Sequence, residues 1–257
     1  DLMMGLVGSE MCIRDRSNEF TDKWKEIATK LPIPNAIVCI SAHWETKGSF
    51  VTASSQPATI HDFGGFPDQL YRIKYDAPGN ESLAREIRNL FLPEIVGLDY
   101  KRGLDHGTWS ILCHMFPHAN IPVLQISIDY NKTIKEHFIF AKRLHELRSS
   151  GVLIIGSGNL VHNLKEVSWS VSNDIDFGYT WAKEADTVLK STIVERDYDK
   201  LFEYKKMGES IQKAIPTPDH FIPAIYILSV QQENDPIEFF NEKAIMGSLT
   251  MTSFIVG

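Results

Sequence analysis

Continuous apolar runs alternate with helical patterns along most of the chain. Three runs are rich in β-branched residues, as in strands buried on both faces: AIVCISAH (36–43), IPVLQISID (121–129) and GVLIIGSG (151–158). The pattern also predicts flanking strands at 49–54 and 94–100, and a strand with one solvated face at 248–256.

Helical periodicity fills the segments between these strands. An amphipathic helix is predicted at 17–31, which Ser17 or Asn18 can cap. Further helices are predicted at 81–91, 132–148, 179–195 and 219–230. We therefore predict an α/β fold: a single domain with a central mixed sheet flanked by helices.

The first residues do not follow this pattern. GLVGSEMCIRDR (5–16) has neither a helical nor a strand period, and SEMCIRDR resembles the translation of an adapter used in sequencing-library preparation. We expect residues 1–16 to be non-native or disordered, and the natural sequence before Ser17 to be missing. The folded domain is predicted to comprise residues 17–257.

Composition and charge exclude several classes of protein. The apolar content of 43% and the charged content of 23% are ordinary for a globular protein. A net charge of -7, without a Lys/Arg cluster, argues against a nucleic-acid partner. No apolar run reaches the length of a membrane span, and no signal peptide is visible. The three cysteines are an odd number without CxxC spacing, and Cys39 and Cys113 look like small core residues in a reducing compartment, so we expect a cytoplasmic protein. The sequence does not indicate the oligomeric state.

The nine histidines fall into two groups. His137 and His145 lie in a charged helical segment and are predicted at the surface, and His114 and His118 are predicted at the surface or at a helix end. The other five stand at the ends of predicted elements: His43, His61, His106, His162 and His220.

Such positions favour a shared site. Ligand sites in open α/β sheets gather at the carboxyl ends of the strands. Imidazole is a common ligand for zinc, iron and copper. The spacing therefore predicts a histidine-rich metal site at the carboxyl edge of the sheet, although each ring could instead be a hydrogen-bonded core residue.

Six motifs occur in order along the chain: SAHWET (41–46), TIHDFGGFPDQLY (59–71), GLDHGTWSIL (103–112), GSGNLVHNL (156–164), PTPDHFIP (216–223) and MGSLTMTSF (246–254). Together they resemble the DOPA-type extradiol aromatic ring-opening dioxygenases of the class III, LigB-like superfamily. The resemblance covers residues 17–257 and implies an enzyme that opens a small catechol, such as DOPA, with O₂.

The resemblance also implies a set of metal ligands. It carries over to His43, His162 and His220, while the family's N-terminal ligand, from a GHGSP-like turn, has no counterpart here. Fe(II) is the implied catalytic metal, and Zn(II) can also occupy an all-histidine site. Glu45 and Asp219 are less favoured carboxylate substitutes.

Further roles are implied around the metal. His162 is expected to transfer protons, and His106 to act as a second catalytic donor whose tautomer is set by Asp105. The substrate-binding residues are expected to be His61, Asn159, Trp44 and Trp109. Within this set, Asn159 is expected to orient His162, and the two tryptophans either wall the aromatic ring or pack in the core.

Two other functions remain open at this point. A zinc-dependent hydrolase could use the same histidines to activate water. A non-catalytic protein could retain the LigB fold for binding alone.

Overall fold

A computed structural model describes residues 3–7, 18–65 and 68–257. The strands in these ranges are β1 (Met3–Val7), β2 (Ala36–Thr46), β3 (Ser49–Thr52), β4 (Val96–Asp99), β5 (Val123–Asp129), β6 (Val152–Gly158), β7 (Ile237–Phe240), β8 (Ala244–Ile245), β9 (Leu249–Thr250) and β10 (Ser253–Val256). The α-helices are α1 (Glu19–Lys30), α2 (Glu81–Leu90), α3 (His106–Met115), α4 (Ile134–Ala141), α5 (His145–Ser149), α6 (Thr180–Val194), α7 (Tyr198–Phe202), α8 (Glu209–Ala214) and α9 (Ile222–Ser229).

Eight strands form one sheet in the order β4-β3-β5-β2-β6-β1-β10-β7, and β8 pairs with β9 separately. The central strand β2 is parallel to both β5 and β6. The pairs β3–β5, β1–β10 and β10–β7 are antiparallel. The predicted mixed α/β sheet is thus confirmed.

The sheet separates two apolar cores. Alternation along β2 sends Val38 and Ile40 to one face and Ile37 and Cys39 to the other. Helices α2, α4, α6 and α9 cover the first face, and α1 and α3 cover the second. Burial on both faces explains why these strands read as continuous apolar runs.

Several boundaries differ from the prediction. We expected no regular element after Gly5, yet Met3–Val7 form β1, which pairs with β6 on one side and β10 on the other. A segment this short carries no readable period, and its pairing with two neighbours defines it. Residues 8–17, which include the suspected adapter segment SEMCIRDR and Ser17, lie outside the described residues. Asn18 caps α1.

The last predicted helix begins later than expected. Helix α9 starts at Ile222, with Pro223 in its first turn, so His220 lies in the preceding turn and not in the helix. The backbone carbonyl of Pro218 accepts hydrogen bonds from both Phe221 and Ile222, which closes this turn. None of the helices in the ranges described is long and apolar enough to cross a membrane.

His137 is buried, and its predicted surface position is wrong. Its ring lies against Tyr226 of α9, with 3.2 Å between Nδ1 and the phenol oxygen. Burial, together with the charge of Lys132, lowers the pKa of His137 to about 4. His145, by contrast, is exposed as predicted.

This burial predicts an acid-labile contribution to stability. The unfolded chain binds a proton at His137 near pH 6.5 and the folded chain only near pH 4, so stability is complete above pH 6.5 and falls as the pH drops. The loss should reach on the order of 3 kcal/mol. Urea unfolding between pH 7 and pH 4 measures it: His137→Gln should flatten this part of the profile, and exposed His118→Gln should not. Equal profiles for both variants would contradict the assignment.

Candidate metal centre

His43 lies near the end of β2, where the pairing with β5 is irregular. The register of β2 against β5 shifts between Ile40 and Glu45. The His43 backbone N–H donates to Ser41 Oγ at 3.2 Å. Such irregularities at strand ends re-aim side chains, and this one places an imidazole at the carboxyl edge of the sheet.

His106 is the first residue of α3, and its ring is fixed by Asp62. One carboxylate oxygen, Oδ1 of Asp62, accepts from the His106 backbone N–H at 3.0 Å and lies 2.7 Å from Nδ1. We expected Asp105 to hold this ring, but Asp105 caps α3 through Thr108 and accepts from the Gln125 amide.

A glycine lets His43 approach this helix. A Cβ at Gly107 would lie 2.9 Å from Cδ2 of the His43 ring and 2.5 Å from Ser41 Oγ. The missing side chain therefore leaves room for the ring against the first turn of α3. As a result, the rings of His43 and His106 lie 3.9 Å apart, centroid to centroid.

His162 and His220 come from two adjacent segments beyond β6. The His162 backbone forms a bridge with Leu249 and donates to the Ala214 carbonyl. The turn that carries His220 lies directly on β6: a Cβ at Gly158 would lie 2.2 Å from the His220 carbonyl oxygen. A residue with a side chain at 158 would push this turn away from the strand.

Four imidazoles thus form a row. The His162 and His220 rings stack at 3.6 Å with 6° between their planes, and His220 meets His43 edge-on at 5.1 Å. His106 continues the row beyond His43. The three histidines expected as ligands therefore lie side by side, although they come from well-separated parts of the sequence.

Carboxylates hold two of the four rings in this row, His220 and His106. Asp219 Oδ2 lies 2.5 Å from His220 Nδ1. Burial alone would raise the pKa of Asp219, but hydrogen bonds from His220 and Thr217 and the His220 charge lower it well below the usual range. The pKa of Asp62 is likewise lowered, because its bonds to His106 outweigh its burial.

Glu45 has a different environment. Its pKa is raised, first by burial and then by the negative charge of Asp219, while His220 acts in the opposite direction.

One group of the described residues could hold a metal: the ligand atoms of His43, Asp62 and His106 lie within 4.8 Å of one another. Two histidines and a carboxylate are a ligand set that iron accepts. The predicted set of His43, His162 and His220 shares only His43 with this group and stays a prediction.

An aromatic cluster adjoins His106. The His61 ring lies 5.6 Å from Trp109 and 5.9 Å from Phe63, and Phe63 meets His106 edge-on at 5.4 Å. Tyr71 completes the cluster, 4.9 Å from Phe63. Trp109 is fully buried behind it, and its indole N–H donates to the Ile60 carbonyl at 2.8 Å.

Three residues of this site were not selected in the sequence analysis. Asp62, Phe63 and Tyr71 all lie in TIHDFGGFPDQLY (59–71), the motif from which only His61 was selected. The high density of aromatic residues in that motif was the signal that could have indicated further site residues.

Trp44 and Asn159 make contacts that were not expected. Trp44 is buried beneath the guanidinium of Arg102, which lies 5.5 Å from the indole centroid and also donates to the His43 carbonyl at 3.2 Å. The Asn159 amide donates to the Thr250 carbonyl at 2.9 Å, and its backbone N–H donates to the His220 carbonyl at 2.8 Å. Asn159 therefore secures the His220 turn.

Fold and site place the chain in a known family. It belongs to the LigB family, described as the catalytic LigB subunit of aromatic ring-opening dioxygenase, and the match spans residues 3–256. This confirms the predicted family and enzyme class.

Several named relatives cover most of the chain. The 4,5-DOPA dioxygenase extradiol of Escherichia coli K12 is 39% identical over 254 residues, 97% of this chain and 92% of that protein. The protein of the same name from Beta vulgaris is 35% identical and covers 93% of this chain and 88% of its own length. A crystal structure of an uncharacterized protein from Escherichia coli K12 superposes with a TM-score of 0.81 at 34% identity, covering 100% of this chain and 98% of that one.

Proposed function

We propose that this protein opens the ring of a catechol, such as DOPA, by extradiol cleavage with O₂ at a non-haem metal. The observation that carries the proposal is the row of four imidazoles at the carboxyl edge of the sheet, joined to an aromatic cluster. The names of the relatives support the same reaction and substrate class.

The donor set fits a divalent metal. Because Nδ1 of His220 is engaged by Asp219, Nε2 is left to coordinate, as in most metal-binding histidines. We propose that His43 and His220 would hold the ion, with His162 at the metal or directly beside it, and with Fe(II) used for catalysis and Zn(II) able to occupy the same site. Fe(II) would supply a redox-active centre with open positions for the diol and for O₂.

The remaining residues bind the substrate and move protons. A catechol must lose protons as it binds and must receive one as the ring opens, and an imidazole suits both tasks. We assign these transfers to His162 and His106. We propose that His61 contacts a substrate oxygen and that Phe63 and Tyr71, whose rings lie beside it, pack on the aromatic ring.

Three residues that were expected to bind substrate are proposed to act indirectly, by supporting other residues of the site. Trp109 supports the aromatic cluster from behind, and Trp44 packs against Arg102 beside the His43 backbone. Asn159 holds the turn that carries His220. The shape of substrate that the site accepts would then depend on these residues indirectly, through the groups that they support.

Oxygen uptake tests the proposal directly. Protein loaded anaerobically with Fe(II) should consume O₂ with DOPA or a simple catechol and form a yellow ring-opened semialdehyde. Tyrosine, which lacks the second hydroxyl group, should give no product, and the Zn(II)-loaded protein should be inactive. An iron-loaded protein that leaves every catechol intact would refute the assignment.

Two other expectations stay predictions. The assignment of residues 1–16 to a non-native segment, with the catalytic domain at 17–257, can be tested by sequencing the genomic DNA that encodes the chain. A cytoplasmic location is supported by the free thiols of Cys39 and Cys113.

A further inference from the structure

We propose that Asp62 is the positioning residue for His106, and that it fixes which ring nitrogen of His106 faces the site. The inference rests on the proposed function, because it assigns His106 a part in ring opening. It concerns an aspartate that lies between two members of the aromatic cluster, His61 and Phe63.

The hydrogen bonds of Asp62 carry this inference. A single oxygen of Asp62 binds both the backbone N–H and the Nδ1 of His106. Since this oxygen already accepts from the backbone N–H, it acts as an acceptor towards the ring as well, and Nδ1 carries the ring proton. Nε2 is then the nitrogen that can accept a proton from a bound diol. The backbone and the ring of His106 are thereby held by the same group.

The loop that carries Asp62 is attached to the start of α3. The Ile60 backbone N–H donates to the Leu104 carbonyl at 2.7 Å, and Trp109 of α3 donates its indole N–H to the Ile60 carbonyl. These contacts lie on both sides of His106 in the chain and two residues before Asp62. Loop and helix start therefore form one unit, in which the carboxylate keeps its position relative to the ring.

The same loop also reaches the substrate side. Phe63 follows Asp62 directly, and its ring meets the His106 ring edge-on. His61, one residue before Asp62, is bound through Nε2 to the Ile73 carbonyl at 2.9 Å. The proposed substrate-contacting residues and the positioning carboxylate are thus consecutive in the chain. The position of the bound substrate ring is therefore coupled to the orientation of the His106 ring.

Asp105, the neighbour of His106 in sequence, is committed elsewhere. Its two oxygens are bound by the Thr108 backbone, the Gln125 amide and Arg102. Asp62 is therefore the carboxylate that the structure assigns to the His106 ring.

Kinetics of Asp62→Ala test the proposal. We expect kcat to fall about 10- to 100-fold, the usual effect of losing a group that orients an active-site histidine. KM for catechol should change little, and bound iron should stay at the wild-type level. Asp62→Asn should recover part of kcat, because its amide oxygen still accepts. Exposed Asp68→Ala, from the same stretch of chain, is the matched control and should behave as wild type.

A double-mutant cycle shows whether Asp62 acts through His106. In a His106→Gln background, Asp62→Ala should cause no further loss of kcat. Additive losses would overturn the proposal, and so would loss of iron in Asp62→Ala, which would make Asp62 a metal ligand.

A spectroscopic readout separates this inference from the proposed function. In metal-free wild type, ¹⁵N NMR of the His106 ring should show a protonated Nδ1, and Asp62→Ala should mix the two tautomers. A protonated Nε2 in wild type would refute the positioning role even if ring cleavage is observed. Conversely, an inactive wild type with the expected spectrum would refute only the proposed function.

Discussion

His43→Ala is expected to lose metal binding and ring cleavage together, each by more than about 100-fold. Removing groups that merely orient metal ligands costs about 10- to 100-fold, so removing the shared ligand itself should cost more. His43 belongs to the group with Asp62 and His106 that could hold the ion, and also to the proposed set with His162 and His220. Its ring contacts both His106 and His220. Metal analysis after dialysis and oxygen uptake with catechol measure the two losses.

His118→Ala removes an exposed imidazole and should retain both properties. Full iron binding in His43→Ala would contradict the proposed centre. His220→Ala then distinguishes the two ligand groups, because it removes metal only if the ion lies between His43 and His220, whereas His106→Ala does so only if the ion lies on the Asp62 side.

Gly158→Ala is expected to have the second-largest effect, without removing any functional group. Its Cβ would lie 2.2 Å from the His220 carbonyl oxygen and 3.0 Å from Pro223. Because backbone must move, we expect a loss of about 1–3 kcal/mol in stability. Displacing His220 by about 1 Å should lower kcat about 100-fold. Thermal unfolding and steady-state kinetics measure the two effects.

Gly64→Ala is the matched control for this substitution. Gly64 is exposed and has nothing within 4 Å of an added Cβ, so its replacement should leave stability and activity near wild type. If Gly158→Ala keeps wild-type kcat and iron content, then close contact between the His220 turn and β6 is not needed for the site.

The sequence predicted those parts of the fold that follow from local patterns. Strands β2, β5 and β6 were visible because their β-branched runs are buried on both faces. The convergence of His43 and His162 was also predictable, since both stand at the carboxyl edge of parallel neighbours.

Contacts between distant segments were not visible in this way. The partner of His106 was expected to be its neighbour Asp105, yet it is Asp62, which lies 44 residues earlier in the chain. The period of apolar residues in a sequence does not indicate which side chains contact one another across a loop. Here the geometry of the loop, and not proximity in sequence, determines which carboxylate orients the ring.

His137 is a different case, because its burial could have been predicted. Its charged neighbours suggested a solvated position, but Ile134, Phe138 and Ala141 are buried at the spacing of one helix face, and His137 shares that face. The helical period was therefore a better guide than local charge.

The row of imidazoles also bears on how the protein acquires its ion. Because the rings are contributed by β2, the start of α3, the segment after β6 and the turn before α9, no isolated stretch of the chain reproduces the site. An ion that prefers the assembled row therefore stabilises the folded chain at the expense of all partly folded ones. A metal bound at this centre would then stabilise only the completed fold, and its removal should lower the stability of the folded chain.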